Sequence, residues 1–375
     1  MKSYSVCRQC IMDTSDPDIV FDASGVCNHC RRYADQAAKR LFAPAELPER
    51  RAAMVDAIKK AGHGKAYDCV IGVSGGVDST YVAYLTRELG LRPLAVHFDN
   101  GWNSELAVAN IEKALKTLRI DLVTEVVDWP EFRDLQLSFL RASTPDGEVP
   151  TDHAIVALLY RTAIQHGIKH ILLGVNVASE AIMPIKWGYG YSDFRYIKAV
   201  HDQFGSVPLR TYPHYSLPQL FGYMFVRKIQ LVPILDYVDY RKEAAMETIQ
   251  SQLGWVYYGG KHYESIYTRF YQSYVLPRKF GIDKRRAHYS NLVLSGQLTR
   301  DRALEMMEEP VYPEKGLQED RAYVVKKLGL SDEEFESIMR LPTKTFLDYP
   351  NSHARVEAAK RILARLRGRP TNGGK

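Results

Sequence analysis

Between residues 67 and 240, short apolar runs alternate with segments of helical spacing. The runs cover 69–73, 94–98, 122–127 and 171–173, and helical periodicity fills 79–89, 105–118 and 153–166 between them. Runs that are apolar throughout, with no polar alternation, suit strands covered on both faces. Strands separated by helices pair in parallel through crossovers. The pattern therefore predicts an α/β fold with a doubly wound parallel sheet. From about Arg241 onward the strand signal fades, and helical patterns at 241–253, 283–294 and 351–366 take over.

The turn after the first run is Ser74-Gly75-Gly76-Val77-Asp78-Ser79, followed by Thr80. Lying between a buried strand and a helix, it reads as a phosphate cradle. Two glycines let backbone amides approach phosphate oxygens, and the helix N-terminus adds positive potential. Ser74, Ser79 and Thr80 supply hydroxyls, and Asp78 stands where a Mg2+ beside the phosphates needs a carboxylate. A capped strand–helix turn is the plainer reading of Gly-Gly alone. Cys69 falls inside the strand and reads as a buried, inert thiol.

Cys7-x2-Cys10 and Cys27-x2-Cys30 take four of the five cysteines. Each pair brings two thiolates to one turn, and two such turns complete an S4 shell for a structural Zn2+. A redox pair, an iron–sulfur site or incidental thiols are the alternatives. His29 lies between two ligands but is not needed to fill the shell.

Two stretches read as an acceptor side. Residues 186–215 interleave Trp187, Tyr189, Tyr191, Phe194 and Tyr196 with Lys186, Arg195, Lys198, His201 and His214. Such a run can stack a ring and pair a phosphate, or simply pack on the core. Residues 259–301 hold Lys261, Lys279, Lys284, Arg285 and Arg286, cations able to grip a pyrophosphate or a nucleotide sugar, or to form a solvated face. The formal charge of +6 suits anionic small molecules and is modest for an RNA binder. No apolar stretch is uninterrupted enough to span a membrane: 217–235 contains Arg227, Lys228 and Pro233. No signal-peptide pattern opens the chain, so a cytoplasmic location is expected.

The SGGVDS string, in its strand–loop–helix setting, resembles the PP-loop of the ATP pyrophosphatase superfamily, which releases AMP and pyrophosphate. That resemblance implies ATP at residues 74–80, adenosine along the strand ending at Phe98, and Gly174 bordering the nucleotide. It also implies Glu180 sharing Mg2+ with Asp78. Three features together resemble the N-acetyl sugar amidotransferases of lipopolysaccharide, O-antigen and flagellin-glycan pathways. They are the cysteine ribbon with Met12-Asp13-Thr14-Ser15-Asp16-Pro17, the SGGVDS loop, and the stretch from Gly259-Gly260-Lys261-His262-Tyr263-Glu264-Ser265 through Leu276-Pro277-Arg278-Lys279 to Asp301. This family implies that a nucleotide sugar's N-acetyl group becomes an acetamidino group.

Within that frame Asp78, Lys261 and Lys279 are the expected catalytic residues, and Lys284, Arg285 and Arg286 the substrate contacts. The expected units are 1–45 as zinc ribbon and linker, 46–240 as the PP-loop ATP pyrophosphatase domain, and 241–375 as a helical acceptor-binding region with a frayed tail. The cofactors are ATP, Mg2+ and structural Zn2+. No glutaminase nucleophile is available, since four cysteines are committed to metal and Cys69 to a strand. The resemblance points to a separate glutaminase subunit and an ammonia-conducting, cyclase-like subunit as partners, with no nucleic acid. A tRNA-thiolating enzyme is the main rival, although no cysteine follows Cys69. A non-catalytic nucleotide-binding module is the second.

Overall fold

The computed structural model describes residues 3–260 and 263–366. Its sheet has five parallel strands: β1 (Cys69–Gly72), β2 (Pro93–Asp99), β3 (Asp121–Val126), β4 (His170–Leu173) and β5 (Gln230–Pro233). Their spatial order is β3-β2-β1-β4-β5. The chain begins at the centre, winds outward through β2 and β3, then returns to build the other half. That reversal opens a crevice beyond the carboxyl ends of β1 and β4, where ligands of such sheets bind.

The chain enters through α1 (Asn28–Arg40) and α2 (Leu47–Gly62). Along the sheet come α3 (Val77–Glu88), α4 (Glu105–Leu118), α5 (Trp129–Ala142), α6 (Val149–Gln165), α7 (Val177–Glu180), α8 (Phe194–Phe204) and α9 (Leu217–Phe221). After β5 follow α10 (Lys242–Leu253), α11 (Ile266–Phe270), α12 (Arg285–Leu294), α13 (Arg300–Glu308), α14 (Glu314–Leu328), α15 (Asp332–Arg340) and α16 (His353–Leu366). A π-helical stretch, Tyr271–Phe280, continues α11 and ends at Gly281.

Successive strand residues face opposite sides, which explains the unbroken apolar runs. Cys69, Ile71, Ala95 and Leu172 pack with α2, α3, α4 and α10. Val70, Val96, Phe98 and Ile171 point the other way, into a core shared with α5, α6, α8, the cysteine ribbon and the C-terminal helices. One expectation needs correcting. Residues 122–127 read as a strand buried on both faces, yet β3 is the sheet edge, with Leu122 43% and Val126 69% exposed. The stretch 217–235 contains both α9 and the strand β5, which its composition does not announce. No described helix is long and apolar enough to cross a membrane.

Candidate active site

The loop after β1 is held from both sides. Gly75 has φ +82°, and a Cβ there would meet the Ala107 carbonyl oxygen of α4 at 2.5 Å, so only glycine fits. The Gly75 carbonyl accepts from Trp255 Nε1 at 2.8 Å. Ser79 Oγ accepts from the Ser74 amide at 3.2 Å, and the Gly76 amide donates to Ser74 Oγ at 3.3 Å. Gly76 is the N-cap of α3, with Val77 buried in the core and Thr80 buried behind it. Ser74 Oγ donates to Glu264 Oε1 at 3.3 Å, tying the loop to a segment 190 residues away. That segment is stitched further by Ser104 N to Glu264 O and Ile266 N to Trp102 O, both 2.9 Å.

Asp78 lies against Tyr240, whose hydroxyl donates to Asp78 Oδ1. Burial, then the carboxylates of Asp78 and Glu180 among other groups, hold the Tyr240 phenol well above its ordinary range. The two acids named for Mg2+ thus flank one tyrosine, and their oxygens are the donor type this ion takes. A Cβ on Gly174 would lie 3.2 Å from Asp78 Cβ, so this glycine permits the strand end to touch the loop. Asn176 simply caps α7, accepting from Ser179 N at 2.8 Å.

A chamber of about 770 Å3 opens over this floor. Ser74 and Ser79 line it, with Val96, His97, Phe98, Leu173 and Gly174 from the neighbouring strand ends. His97 Nδ1 donates to the Val73 carbonyl at 2.9 Å, and Asn103 Nδ2 lies 3.1 Å from Nε2, fixing the imidazole between strand and loop. Glu148, Gln272, Lys284 and His288 also line it, with Trp187, Tyr189 and Tyr191. Lys284 Nζ reaches Glu148 Oε2 at 2.6 Å, and Gln272 Nε2 donates to the same carboxylate at 3.0 and 3.1 Å. Asp146, in the same wall, accepts from Tyr189 N at 2.6 Å and Tyr196 Oη at 2.8 Å. Burial still pushes its carboxyl up to about 6.

The aromatic run 186–215 divides between the chamber wall and the core. Trp187, Tyr189 and Tyr191 line the chamber, whereas Phe194 stacks on His214 at 4.1 Å and Tyr196 is buried against Phe139.

Some expected site residues are not brought to the chamber. Lys279 Nζ donates to the carbonyls of Ile338, Met339 and Leu341 at 2.6, 3.2 and 3.0 Å, which caps α15. Arg285 pairs with Asp283 at 2.8 Å and reaches the Glu309 carbonyl at 2.9 Å. Arg286 donates to Ile11 O at 2.8 Å and pairs with Asp13 at 3.1 Å, so it serves the ribbon. Lys261 lies outside the described residues, as does the expected tail at 368–375. Sequence reasoning missed Glu264, Trp255, Tyr240, Glu148 and Gln272 as members of this site. Trp255 carried a local signal in the aromatic cluster with Tyr257 and Tyr258, and Glu264 in the stretch that carries the family resemblance.

The four cysteine Sγ atoms lie buried within 4.8 Å of one another. Cys7–Cys30, Cys10–Cys27 and Cys27–Cys30 are each 3.7 Å apart. A tetrahedron of ~2.3 Å zinc–sulfur bonds has edges of about 3.8 Å, so the donor set fits Zn2+. Amides of Gln9 and Met12 donate to Cys7 and Cys10 Sγ at 3.4 Å, compensating thiolate charge. His29 bonds Asp16 at 2.6 Å and takes no part.

Residues 264–366 match the family of the C-terminal domain of LPS biosynthesis protein WbpG-like proteins. This segment is WbpG-like. It contributes Glu264, Gln272, Lys284 and His288 to the chamber, so the WbpG-like segment and the loop after β1 share one cavity. No curated protein matches the chain. Similar solved structures include NMN synthetase from Francisella tularensis, 15% identical over 77% of this chain and 98% of that one, TM-score 0.31. The NH3-dependent NAD synthetase from Campylobacter jejuni is 16% identical over 55% and 83%, TM-score 0.29. A predicted subunit of tRNA methyltransferase from Methanocaldococcus jannaschii is 17% identical over 48% and 76%, TM-score 0.29.

Proposed function

We propose that this chain spends ATP to activate the N-acetyl group of a nucleotide-linked sugar for attack by ammonia, in lipopolysaccharide, O-antigen or related glycan synthesis. The observation that carries the reading is the shared chamber: the loop after β1 lines the same cavity as the polar and aromatic groups supplied by the WbpG-like segment and residues 187–191. Its volume of about 770 Å3 is ample for a small-molecule site.

The chemistry follows from the weakness of an amide as an electrophile. Its carbonyl oxygen attacks the α-phosphorus of ATP, and pyrophosphate leaves. Ammonia then adds to the activated carbon, AMP departs with the carbon–oxygen bond, and loss of a proton gives the amidine. Charge grows first on the departing pyrophosphate, where the loop amides, Ser74 and Ser79 can donate. Mg2+ held by Asp78 and Glu180 would supply further charge neutralisation. Ammonia would come from a separate glutaminase subunit and an ammonia-conducting, cyclase-like subunit. Cys69 supports this, because burial holds its thiol far above the range of a nucleophile. The same fact weighs against a thiolation enzyme that needs a further catalytic cysteine.

The test is turnover of purified protein with ATP, ammonium and candidate UDP-acetamido sugars, reading nucleotide products and sugar mass. AMP, pyrophosphate and an amidino sugar are expected, and Asp78→Ala should reduce turnover by at least about a hundredfold. ADP with orthophosphate as primary products would overturn the reading.

A further inference from the structure

The chamber has one lining cation from the cysteine ribbon. Arg32 lies on α1, two residues beyond Cys30, and is exposed at the chamber wall. It makes no ion pair or hydrogen bond among the described residues, whereas Lys284, the chamber's other described lysine or arginine, is bound to Glu148. The helix carrying Arg32 is anchored at both ends. Its first turn is closed by Cys27 and Cys30 of the S4 cluster. Its last residue, Arg40, donates through Nε to Asp236 Oδ2 at 2.7 Å, and Asp236 also accepts from Val177 N at 2.9 Å. Between these anchors Tyr33 is buried, and Gln36 donates to Ala181 O at 3.4 Å. The helix packs on α7, which follows β4, and on α12, which carries His288 of the chamber wall.

We propose that Arg32 is a substrate-binding residue that grips the diphosphate of the acceptor, and that the metal-bound ribbon exists in part to hold it there. This deepens, and rests on, the reading of the acceptor as a nucleotide-linked sugar. A guanidinium offers two parallel donors matched to phosphate oxygens, and an uncommitted one loses no internal ion pair when it binds. Closing one end of α1 with a metal cluster fixes the direction of that fork without a large local core.

The experiment uses the full chain, zinc-loaded and saturated with α,β-methylene-ATP, so that the phosphate loop is occupied. UDP is then titrated by calorimetry. Arg32→Ala should weaken UDP about tenfold or more. Arg32→Lys should retain charge but lose part of the affinity. Both variants should bind the ATP analogue and zinc as wild type does. Equal UDP affinity in wild type and Arg32→Ala would overturn the proposal. So would an equal loss of ATP-analogue affinity, which would assign the cation to ATP, or failure of wild type to bind UDP. Amidine formation from acetamido sugars, measured separately, decides the parent reading. A chain that makes the amidine yet ignores the Arg32 change fails only here.

Discussion

Asp146 offers a test of whether the chamber wall is as dry as its packing implies. The carboxylate is 2% exposed and accepts from the Tyr189 amide and the Tyr196 hydroxyl. These bonds and the nearby Lys284 charge favour ionisation, yet burial outweighs them and sets the group at about 6, against an ordinary 3.8. Below about pH 4 the carboxyl is protonated in both folded and unfolded chains. Between about 4 and 6 the folded chain keeps a proton that the unfolded chain has released, so stability falls as pH rises. Above that window both are ionised, and the full cost of a buried charge remains. At about 1.4 kcal/mol per tenfold change in proton affinity, the window is worth roughly 3 kcal/mol.

Asp146→Asn keeps an acceptor for the Tyr189 amide and removes the titration. Urea unfolding of both proteins across this range isolates the term, because every other group titrates in each. The stability of wild type relative to the variant should be greatest at the acid end and decline by up to about 3 kcal/mol toward neutrality. A difference that is flat with pH, or that grows toward neutrality, would refute the argument that burial dominates at this site.

Other outcomes follow from the same geometry. Gly75→Ala puts a Cβ within 2.5 Å of the Ala107 carbonyl at a φ of +82°, so melting should fall by several degrees and ATP turnover by more than about tenfold. Trp255→Phe deletes the donor to the Gly75 carbonyl; about 1 kcal/mol of stability should go, with KM for ATP rising more than KM for the acceptor. Elemental analysis should find about one zinc per chain. Cys30→Ser should lose it and make the segment before α1 sensitive to protease, while a metal-free wild type prepared under reduction would sink the S4 reading.

The parts of this fold legible in the sequence are those whose cause is local. β1, the Gly-Gly turn and α3 are contiguous, so their apolar run, left-handed glycine and helix spacing can be read together. The four cysteines are legible because metal geometry constrains spacing within each pair. β5 is different: Gln230 and Leu231 are exposed, the strand is four residues long, and only pairing with β4 makes it a strand. Glu148 and Gln272 stand 124 residues apart and meet across the chamber, an encounter that no window of sequence contains.

The basic cluster 284–286 is split among three surroundings by the helix it opens. Successive residues on a helix point about 100° apart, so three adjacent cations cannot share one wall. Lys284 turns to the chamber, Arg285 to Asp283 and the end of α13, and Arg286 to the ribbon. Arg300 joins Arg286 there, donating to the carbonyls of Cys7 and Cys10 at 2.8 and 3.0 Å. These carbonyls carry partial negative charge, so two arginines from α12 and α13 hold the ribbon against the C-terminal helices. Of the three cations, Arg286 helps to seat the cysteine ribbon, while Lys284 lines the chamber. Seating the ribbon there brings α1 against the chamber, where Arg32 is a second lining cation.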